Sequence, residues 1–307
     1  MQIRSLLLTL LGAALVIAGA EWTLRGIEDH LPALSEWPTI ETEIKSAQFE
    51  ALDPKPTLLI VGSSMTESAV DPQGLIEMGV APAAYNTAFP FFSPAAADLW
   101  LRDFIKPWDD LEVMLIGIPV WPPPRDSTND PLTVALLEAT AEVSTPDPFD
   151  EIALWRMRGM LVDIDQAARR ERATAHHLWT DLGHQTFYYG QSDGSVSGHY
   201  APFVDSNMSD VQERALRRLI DTARQAGAKP VVLLEPGNYP DGSNEQKIAA
   251  YIAWLRDLTE ELEVEFWDSY SIGWDDSFFA DETHFNDKGA VAFTQFVGER
   301  LLELNGR

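Results

Sequence analysis

The chain has 307 residues, of which 45% are hydrophobic and 23% are charged, a composition typical of a folded protein. Its length is sufficient for one large α/β domain or two small ones. The 22 Lys and Arg residues against 48 Asp and Glu residues give a formal net charge of −26, which repels phosphate backbones and excludes nucleic acid as an expected partner. The sequence contains no cysteine, so disulfide bonds, thiolate nucleophiles and cysteine-ligated zinc are excluded.

The first 24 residues have the pattern of an export signal. Arg4 precedes an apolar run from residue 6 to residue 20, in which only Thr9 is polar, and residues 18–20 fit a small-residue cleavage site. The run is slightly shorter than the roughly 20 apolar residues of a full membrane span, and a buried helix is the alternative. We expect residues 1–24 to be a signal anchor or a cleaved signal peptide. The rest of the chain would then be extracytoplasmic, either anchored to the cytoplasmic membrane or, after cleavage, secreted or periplasmic.

Residues 25–54 are mixed and polar and include three prolines, which predicts a stalk or linker. From residue 55 onward, apolar runs alternate with helical patterns, which predicts one α/β domain over residues 55–307. The five runs that we interpret as strands are residues 57–63, 83–89, 111–121, 229–236 and 264–270. Strands separated by helices indicate a three-layer α/β/α sandwich around a central, mostly parallel five-stranded sheet. Residues 126–205 interrupt the alternation and are interpreted as a helical insertion between the third and fourth strands.

A serine and a histidine follow the first and last predicted strands. The first strand ends in Gly62-Ser63-Ser64, and His284 follows the fifth strand, with Asp281 three residues before it. Because sites in parallel sheets form beyond the carboxyl ends of the strands, these side chains are expected at one edge. A nucleophilic serine needs a base and a group that orients the base. We therefore predict Ser64 as nucleophile, His284 as general base and Asp281 as its orienting carboxylate; a serine that only closes a turn is the alternative.

These two blocks resemble those of the SGNH (GDSL-like) hydrolase superfamily. The resemblance rests on Gly62-Ser63-Ser64 and on Asp281-x-x-His284 followed by Phe285-Asn286 and Gly289, and it covers roughly residues 56–120 and 228–305. It implies a flavodoxin-like fold and a Ser–His–Asp triad made of the three residues just named. The Gly-x-Ser-x-Gly elbow of the α/β-hydrolases is absent, which argues against that other fold.

The resemblance also directs attention to an oxyanion hole, where the sequence departs from the family. The second block of the family usually offers a glycine, and this chain has Ala88, so only a backbone N–H is available beside that of Ser64. The third block usually offers an asparagine side chain, for which Asn129 is the candidate here. Loss of one oxyanion donor would slow the chemistry without abolishing it.

Other residues carry side chains that could bind a substrate or a metal. Arg125 is a candidate for binding a carboxylate or polarising a carbonyl, and His199 for lining a substrate groove, with a solvated surface position as the alternative for each. Five residues near the C-terminal block carry side chains that could bind a divalent cation: Asp275, Asp276, Asp281, Glu282 and His284. The triad accounts for two of them without a metal, so we expect neither a metal nor another cofactor.

The strand, the serine block and the Val-Asp-Pro turn after it also look like the membrane-anchored branch of the superfamily. That branch is similar to the alginate O-acetylation and lipoteichoic-acid D-alanylation proteins. The resemblance implies an exported serine esterase or O-acyltransferase that acts on acyl esters, acetyl esters first among them, of a cell-envelope or extracellular glycan. It also implies a membrane-bound O-acyltransferase as a partner. The alternative is a non-catalytic scaffold or accessory protein for such an acyltransferase.

Overall fold

The computed structural model describes residues 12, 16–23, 37–90, 93–105, 108–120, 179–186, 207–238 and 245–306. The chain divides into two compact units, the first made of residues 1–37 with 141–176 and the second of residues 38–140 with 177–307. In the first unit, residues 16–23 are helical, and the Thr23 hydroxyl donates a hydrogen bond to the carbonyl of Gly19 (2.8 Å). Among the described residues, no helix is both long enough and apolar enough to cross a membrane.

The second unit contains seven α-helices and five β-strands among its described residues. The helices are α1 (Trp37–Ala51), α2 (Ser64–Ala69), α3 (Pro72–Glu77), α4 (Pro94–Trp100), α5 (Asp210–Gln225), α6 (Glu245–Glu261) and α7 (Asp287–Leu304). A π-helical turn, Leu101–Ile105, continues α4, and two 3₁₀ turns, Tyr270–Ile272 and Asp276–Phe278, follow the last strand. The strands are β1 (Leu58–Val61), β2 (Ala84–Asn86), β3 (Val113–Ile118), β4 (Lys229–Leu234) and β5 (Glu265–Asp268).

All five strands form one parallel sheet in the order β2-β1-β3-β4-β5, which is the flavodoxin-like order. The predicted α/β sandwich with a five-stranded sheet is therefore confirmed, and the sheet is parallel throughout. Every residue of β1 and β3 is buried, because helices cover both faces of the sheet. The predicted insertion lies largely outside the described residues. Within it, residues 179–186 form a turn closed by an antiparallel bridge between Trp179 and Gln185.

Two hydrophobic cores lie on opposite faces of the sheet. One face of β1 and β3, which includes Leu59 and Met114, packs against α4, α5 and α6. The other face, which includes Ile60 and Leu115, packs against α7 through Phe293. Because successive side chains of a strand point to opposite faces, two buried faces require the near-continuous apolar runs seen in the sequence.

Helix α1 occupies the second half of the predicted stalk. Its residues from Pro38 onward belong to the second unit, and Phe49 is buried in the core. Residues 25–36 of that segment lie outside the described residues. The folded unit thus begins earlier in the sequence than its apolar pattern indicates, because α1 also buries charged side chains.

A buried cluster of ion-paired and hydrogen-bonded side chains joins α1 to α2; its members are Glu41, Lys45, Glu67 and Trp179. The Lys45 ammonium donates to Glu67 Oε1 (2.8 Å) and to the carbonyl of Ala88, and it lies 3.4 Å from Glu41. Trp179 Nε1 also donates to Glu67 Oε1 (2.6 Å). Burial, together with the nearby charge of Glu67, raises the pKa of the Glu41 carboxyl well above its usual value. The cluster anchors the helix that begins at Ser64.

Candidate active site

Ser64 stands at the carboxyl end of β1, where the strand turns directly into a helix. Gly62 and Ser63 form the turn, and Ser63 caps α2 because its hydroxyl accepts a hydrogen bond from the Met65 N–H (3.1 Å). Ser64 is the first residue of α2 and is only partly buried, unlike the residues around it. The polar turn thus has a structural role through Ser63, and it presents the side chain of Ser64 at the sheet edge.

His284 lies near the end of residues 269–286, which connect β5 to α7 and which we call the histidine loop. An isolated antiparallel bridge joins Phe279 to Phe285, and Asn286 caps α7 by accepting from two backbone N–H groups at the start of the helix. The Asn286 side chain also donates to the carbonyl of Ser277 (2.8 Å). The backbone of His284 is therefore fixed by the Phe279–Phe285 bridge, which encloses it, and by the helix cap that follows it.

The side chains of Ser64, His284 and Asp281 form one hydrogen-bonded chain. The Ser64 Oγ atom lies 2.8 Å from His284 Nε2, and His284 Nδ1 lies 2.9 Å from Asp281 Oδ2 and 3.0 Å from Oδ1. With the proton on Nδ1 facing the carboxylate, Nε2 is the acceptor for the serine hydroxyl. The structure thus brings together all three residues that the sequence predicts as a triad.

The Asp281 carboxylate is held in its charged form. Partial burial alone would raise its pKa, but the hydrogen bond and charge of His284, together with the N–H groups of Thr283 (2.8 Å) and His284 (2.7 Å), outweigh burial and lower the pKa to about 2. An ionised Asp281 keeps the Nδ1 proton of His284 in place, which leaves Nε2 free to accept a proton from Ser64.

Sequence reasoning overlooked the role of Thr283, which lies inside the same block. Its Oγ1 atom is 2.9 Å from His284 Nδ1 and 3.1 Å from Asp281 Oδ1. The hydroxyl therefore contacts both members of the pair and restricts the orientation of the imidazole. Its position between the aspartate and the histidine was the available signal.

A second overlooked residue is Glu235, which directly follows β4. Its side chain is fully buried beneath residues 62–66, which we call the serine turn. It accepts hydrogen bonds from the Ser63 N–H (2.9 Å), the Ser63 hydroxyl (2.6 Å) and the Thr66 hydroxyl. Burial raises the pKa of this carboxyl, although the hydrogen bonds from Ser63 and Thr66 oppose the shift. A glutamate after an apolar strand was visible in the sequence, but its partners were not.

The prediction for Ala88 as an oxyanion donor needs correction. The Ala88 N–H already donates to Asn86 Oδ1 (3.0 Å), and both residues are buried. The amide group of Asn86 is itself fixed, because its Nδ2 donates to carbonyls of α2 and of Val70. Among the predicted backbone donors, this leaves the N–H of Ser64, at the start of a helix where N–H groups lack intrahelical acceptors.

The remaining candidates for substrate or metal binding fall into two groups. Arg125, Asn129 and His199 lie outside the described residues. Within the described ranges, no group of three or more His, Asp or Glu side chains is arranged to hold a metal ion. An open cavity of about 520 Å³ lies between α3 and α7, and its lining includes Asp71, Glu77, Met78, Val291 and Thr294 but none of the three triad residues.

The fold and the site together define an α/β protein with a Ser–His–Asp hydrogen-bonded chain at the carboxyl edge of a parallel sheet. No family model and no curated protein matches the sequence. Among solved structures, a suggested acylhydrolase from Bacteroides fragilis matches at 10% identity over 88% of this chain and 99% of its own, with a TM-score of 0.43. A suggested platelet activating factor from Streptococcus pneumonia matches at 13% identity over 91% and 98%, with a TM-score of 0.46. At such low identities and scores, the likenesses carry no argument about activity, which has to come from the site.

Proposed function

We propose that the protein is a serine-dependent acyl-ester hydrolase or O-acyltransferase. The observation that carries the proposal is the continuous chain from the Ser64 hydroxyl through His284 to Asp281, with heavy-atom distances of 2.8 and 2.9 Å. These distances lie within hydrogen-bond range, and the order of groups is that of nucleophile, base and orienting acid. The chain lies at the edge of the sheet where α/β proteins place their sites.

In the proposed reaction, Ser64 Oγ attacks the acyl carbonyl while His284 Nε2 takes its proton. Asp281 stabilises the imidazolium, and the N–H of Ser64 faces the developing oxyanion. Collapse of the tetrahedral intermediate breaks the ester bond, and His284 returns the proton to the leaving alcohol. The acyl group is then on Ser64. An acceptor hydroxyl then attacks the acyl-enzyme while His284 takes its proton. The bond between the acyl carbon and Ser64 Oγ breaks, and His284 returns the proton to Ser64.

Hydrolysis and transfer use the same residues and differ only in the acceptor, which is water in one case and a sugar hydroxyl in the other. We extend the proposal to acetyl or other acyl esters of a cell-envelope or extracellular glycan, processed beside a membrane-bound O-acyltransferase. The support for this extension is in the sequence alone: a basic residue before the apolar run of residues 6–20, and the resemblance carried by Gly62-Ser63-Ser64.

A non-catalytic scaffold is the second candidate, and one observation favours it. The Ala88 N–H, which the family pattern makes an oxyanion donor, is occupied by Asn86 Oδ1. Removal of one oxyanion donor typically costs about 2.7–4 kcal/mol of transition-state stabilisation. A chain that has lost such a donor would retain its fold and could serve as a docking partner while it catalyses slowly or not at all.

A serine-reactive fluorophosphonate probe separates the two candidates. We expect the probe to label the full-length wild type and to form its adduct on Ser64, with no labelling of Ser64→Ala. Ser271→Ala is the matched control, because the Ser271 hydroxyl donates to Asp268 (2.7 Å) and has no contact with the triad histidine. Absence of labelling in folded wild-type protein would favour the scaffold.

A further inference from the structure

Glu235 has no part in the reaction just described, yet it is fully buried directly beneath the serine turn. It follows β4, and its backbone N–H donates to the carbonyl of Ile118 at the end of β3 (2.8 Å). A buried carboxyl group requires hydrogen-bond partners, and all those given by the described residues come from the serine turn, namely Ser63 and Thr66.

The partners of Glu235 lie on both sides of Ser64 in the sequence. Oε1 accepts from the Ser63 N–H (2.9 Å) and from the Thr66 hydroxyl, and Oε2 accepts from the Ser63 hydroxyl (2.6 Å). One carboxyl group therefore fixes the residue before Ser64 and the residue two positions after it. Ser63 is also the cap of α2, so the same contacts determine where the helix begins.

Two glycines make room for this arrangement. A β-carbon on Gly117 of β3 would overlap the Thr66 hydroxyl and lie 2.7 Å from Glu235 Oε1. A β-carbon on Gly62 would lie 2.6 Å from both Cβ and Oγ1 of Thr66. The ends of β1 and β3 thus lack side chains where the carboxyl group and the threonine meet, so the serine turn packs directly onto Glu235.

The segment that Glu235 begins also reaches the histidine loop. The Asn238 N–H donates to the carbonyl of Glu282 (2.8 Å), which lies between Asp281 and His284, and the Asn238 side chain donates to Asp276 (2.8 Å). Residues 235–238 consequently contact the serine turn at one end and the histidine loop at the other. Ser64 and His284 are 220 residues apart in the sequence, so tertiary contacts such as these have to keep them together.

We propose that Glu235 is a positioning residue for Ser64, and that residues 235–238 hold the serine turn and the histidine loop in register. The catalytic consequence rests on the proposed serine chemistry, whereas the positioning itself does not. Glu235 does not touch the reacting atoms and acts through Ser63 and Thr66.

The test compares acyl-ester turnover of full-length Glu235→Ala, Glu235→Gln and Thr66→Val with the wild type. Displacement of a nucleophile by about 1 Å can cost about 100-fold in rate, so we expect kcat of Glu235→Ala to fall about 10- to 100-fold while KM stays within about twofold. Glu235→Gln retains an acceptor oxygen and should lie closer to the wild type. Thr66→Val removes the hydrogen bond to Glu235 and keeps the shape of the side chain, and we expect its kcat to fall as well. It provides the test in case Glu235→Ala does not fold.

Thr259→Val is the matched control, because the buried Thr259 hydroxyl bonds only to carbonyls of its own helix, α6. It should lower stability without changing kcat at temperatures well below unfolding. If Glu235 had a purely structural role, its variants would likewise lose stability and keep their kcat. Unchanged kcat in Glu235→Ala and in Thr66→Val would therefore overturn the proposal.

Hydrogen exchange of residues 62–66, measured by mass spectrometry, gives a readout that does not need activity. We expect faster exchange in Glu235→Ala and in Thr66→Val than in the wild type or Thr259→Val, since the serine turn loses its anchor. Unchanged exchange in these variants overturns the positioning role whether or not the wild type turns over. If the wild type has no activity but exchange is still faster in the two variants, the positioning role is supported and the proposed function fails.

Discussion

Replacement of Asp281 by asparagine tests how the site sets the tautomer of His284. In the structure, Asp281 Oδ1 accepts the backbone N–H groups of Thr283 (2.8 Å) and His284 (2.7 Å), while Oδ2 lies 2.9 Å from His284 Nδ1. In the Asp281→Asn variant, the amide oxygen of the introduced side chain must stay at the Oδ1 position to serve those two donors. The introduced NH₂ group then faces Nδ1, which has to become an acceptor, and the ring proton moves to Nε2.

With its proton on Nε2, His284 donates to Ser64 and can no longer accept the serine proton. A wrong tautomer of this kind costs about 10⁴-fold in kcat in a Ser–His–Asp triad. At about 1.36 kcal/mol per factor of ten, the loss corresponds to about 5.4 kcal/mol of transition-state stabilisation. We expect Asp281→Asn to lose about 10³- to 10⁴-fold in the kcat of acyl-ester hydrolysis.

The fold should tolerate this change. The pKa of Asp281 is about 2 in the folded protein against an ordinary 3.8, and its side chain is 38% exposed. After allowance for solvent screening, we expect the charge to contribute only about 1 kcal/mol of stability. Because the folded pKa is lowered, this contribution is present above pH 3.8 and disappears as the pH falls towards 2. Chemical unfolding of wild type and variant at neutral and acidic pH measures it.

Asp275→Asn is the matched control for the substitution. Asp275 lies in the same loop, and its carboxylate accepts the Ser277 N–H (2.9 Å) but contacts no histidine. Its activity should stay within about twofold of wild type, as for surface changes away from a site. If folded Asp281→Asn keeps more than a tenth of the wild-type kcat, the tautomer argument is refuted, and Thr283 would be the group that orients His284.

Three further changes test the buried charges and the packing beneath the site. Lys45→Met leaves the Glu67 carboxylate buried without its cation and should cost about 3–5 kcal/mol in denaturant unfolding. Lys55→Met removes a partly buried ammonium group that donates to the carbonyls of Phe49 and Glu50 and should cost about 1–2 kcal/mol, so equal losses would contradict the pairing. Glu41 has a raised folded pKa, so it binds a proton that the unfolded chain releases above pH 4.5, and stability falls as the pH rises. Glu41→Gln should remove that decline, up to about 1.4 kcal/mol per pH unit, and a wild-type slope in the variant would contradict the assignment. Gly117→Ala should cost about 1–3 kcal/mol through overpacking and lower turnover as well, and an unperturbed variant would show that the serine turn is not tightly packed.

The sheet, and the shared edge at which Ser64, Asp281 and His284 lie, were predictable because each depends on short-range patterns joined by one topological rule. Strands buried on both faces must be apolar runs, and the carboxyl ends of parallel strands share an edge. Those two constraints place a serine after the first strand and an Asp-x-x-His block after the fifth at one edge of the sheet. They do not bring the side chains into contact, because β3 and β4 lie between β1 and β5. The fold of residues 269–286 closes that distance, and the sequence pattern does not specify it.

Glu235 and the cluster around Lys45 could not be predicted in the same way. A single charged residue in a sequence is usually exposed, and its burial depends on partners supplied by distant segments. The Glu235 carboxyl finds its donors 169 and 172 residues away, and Lys45 finds Glu67 22 residues away. The sequence predicts a stalk where α1 lies for the same reason, because the burial of Lys45 depends on Glu67 and Ala88.

The Ala88 prediction failed at a finer level. A backbone N–H is present at every residue except proline, so the sequence cannot tell whether it is free or already bonded. Here the rotamer of Asn86, fixed by three carbonyl acceptors, decides the matter. Whether a backbone N–H is available to an oxyanion is therefore decided by the folded structure and not by the sequence.

The most direct test of the central claim is turnover of p-nitrophenyl acetate by the full-length protein, with Ser64→Ala, His284→Ala and the Ser271→Ala control measured alongside. We expect turnover by the wild type and the control, with an acetyl group trapped on Ser64 after rapid quenching. We expect no turnover above background in either triad variant. Wild-type turnover that persists in folded Ser64→Ala would contradict the account, because another group would then be the nucleophile.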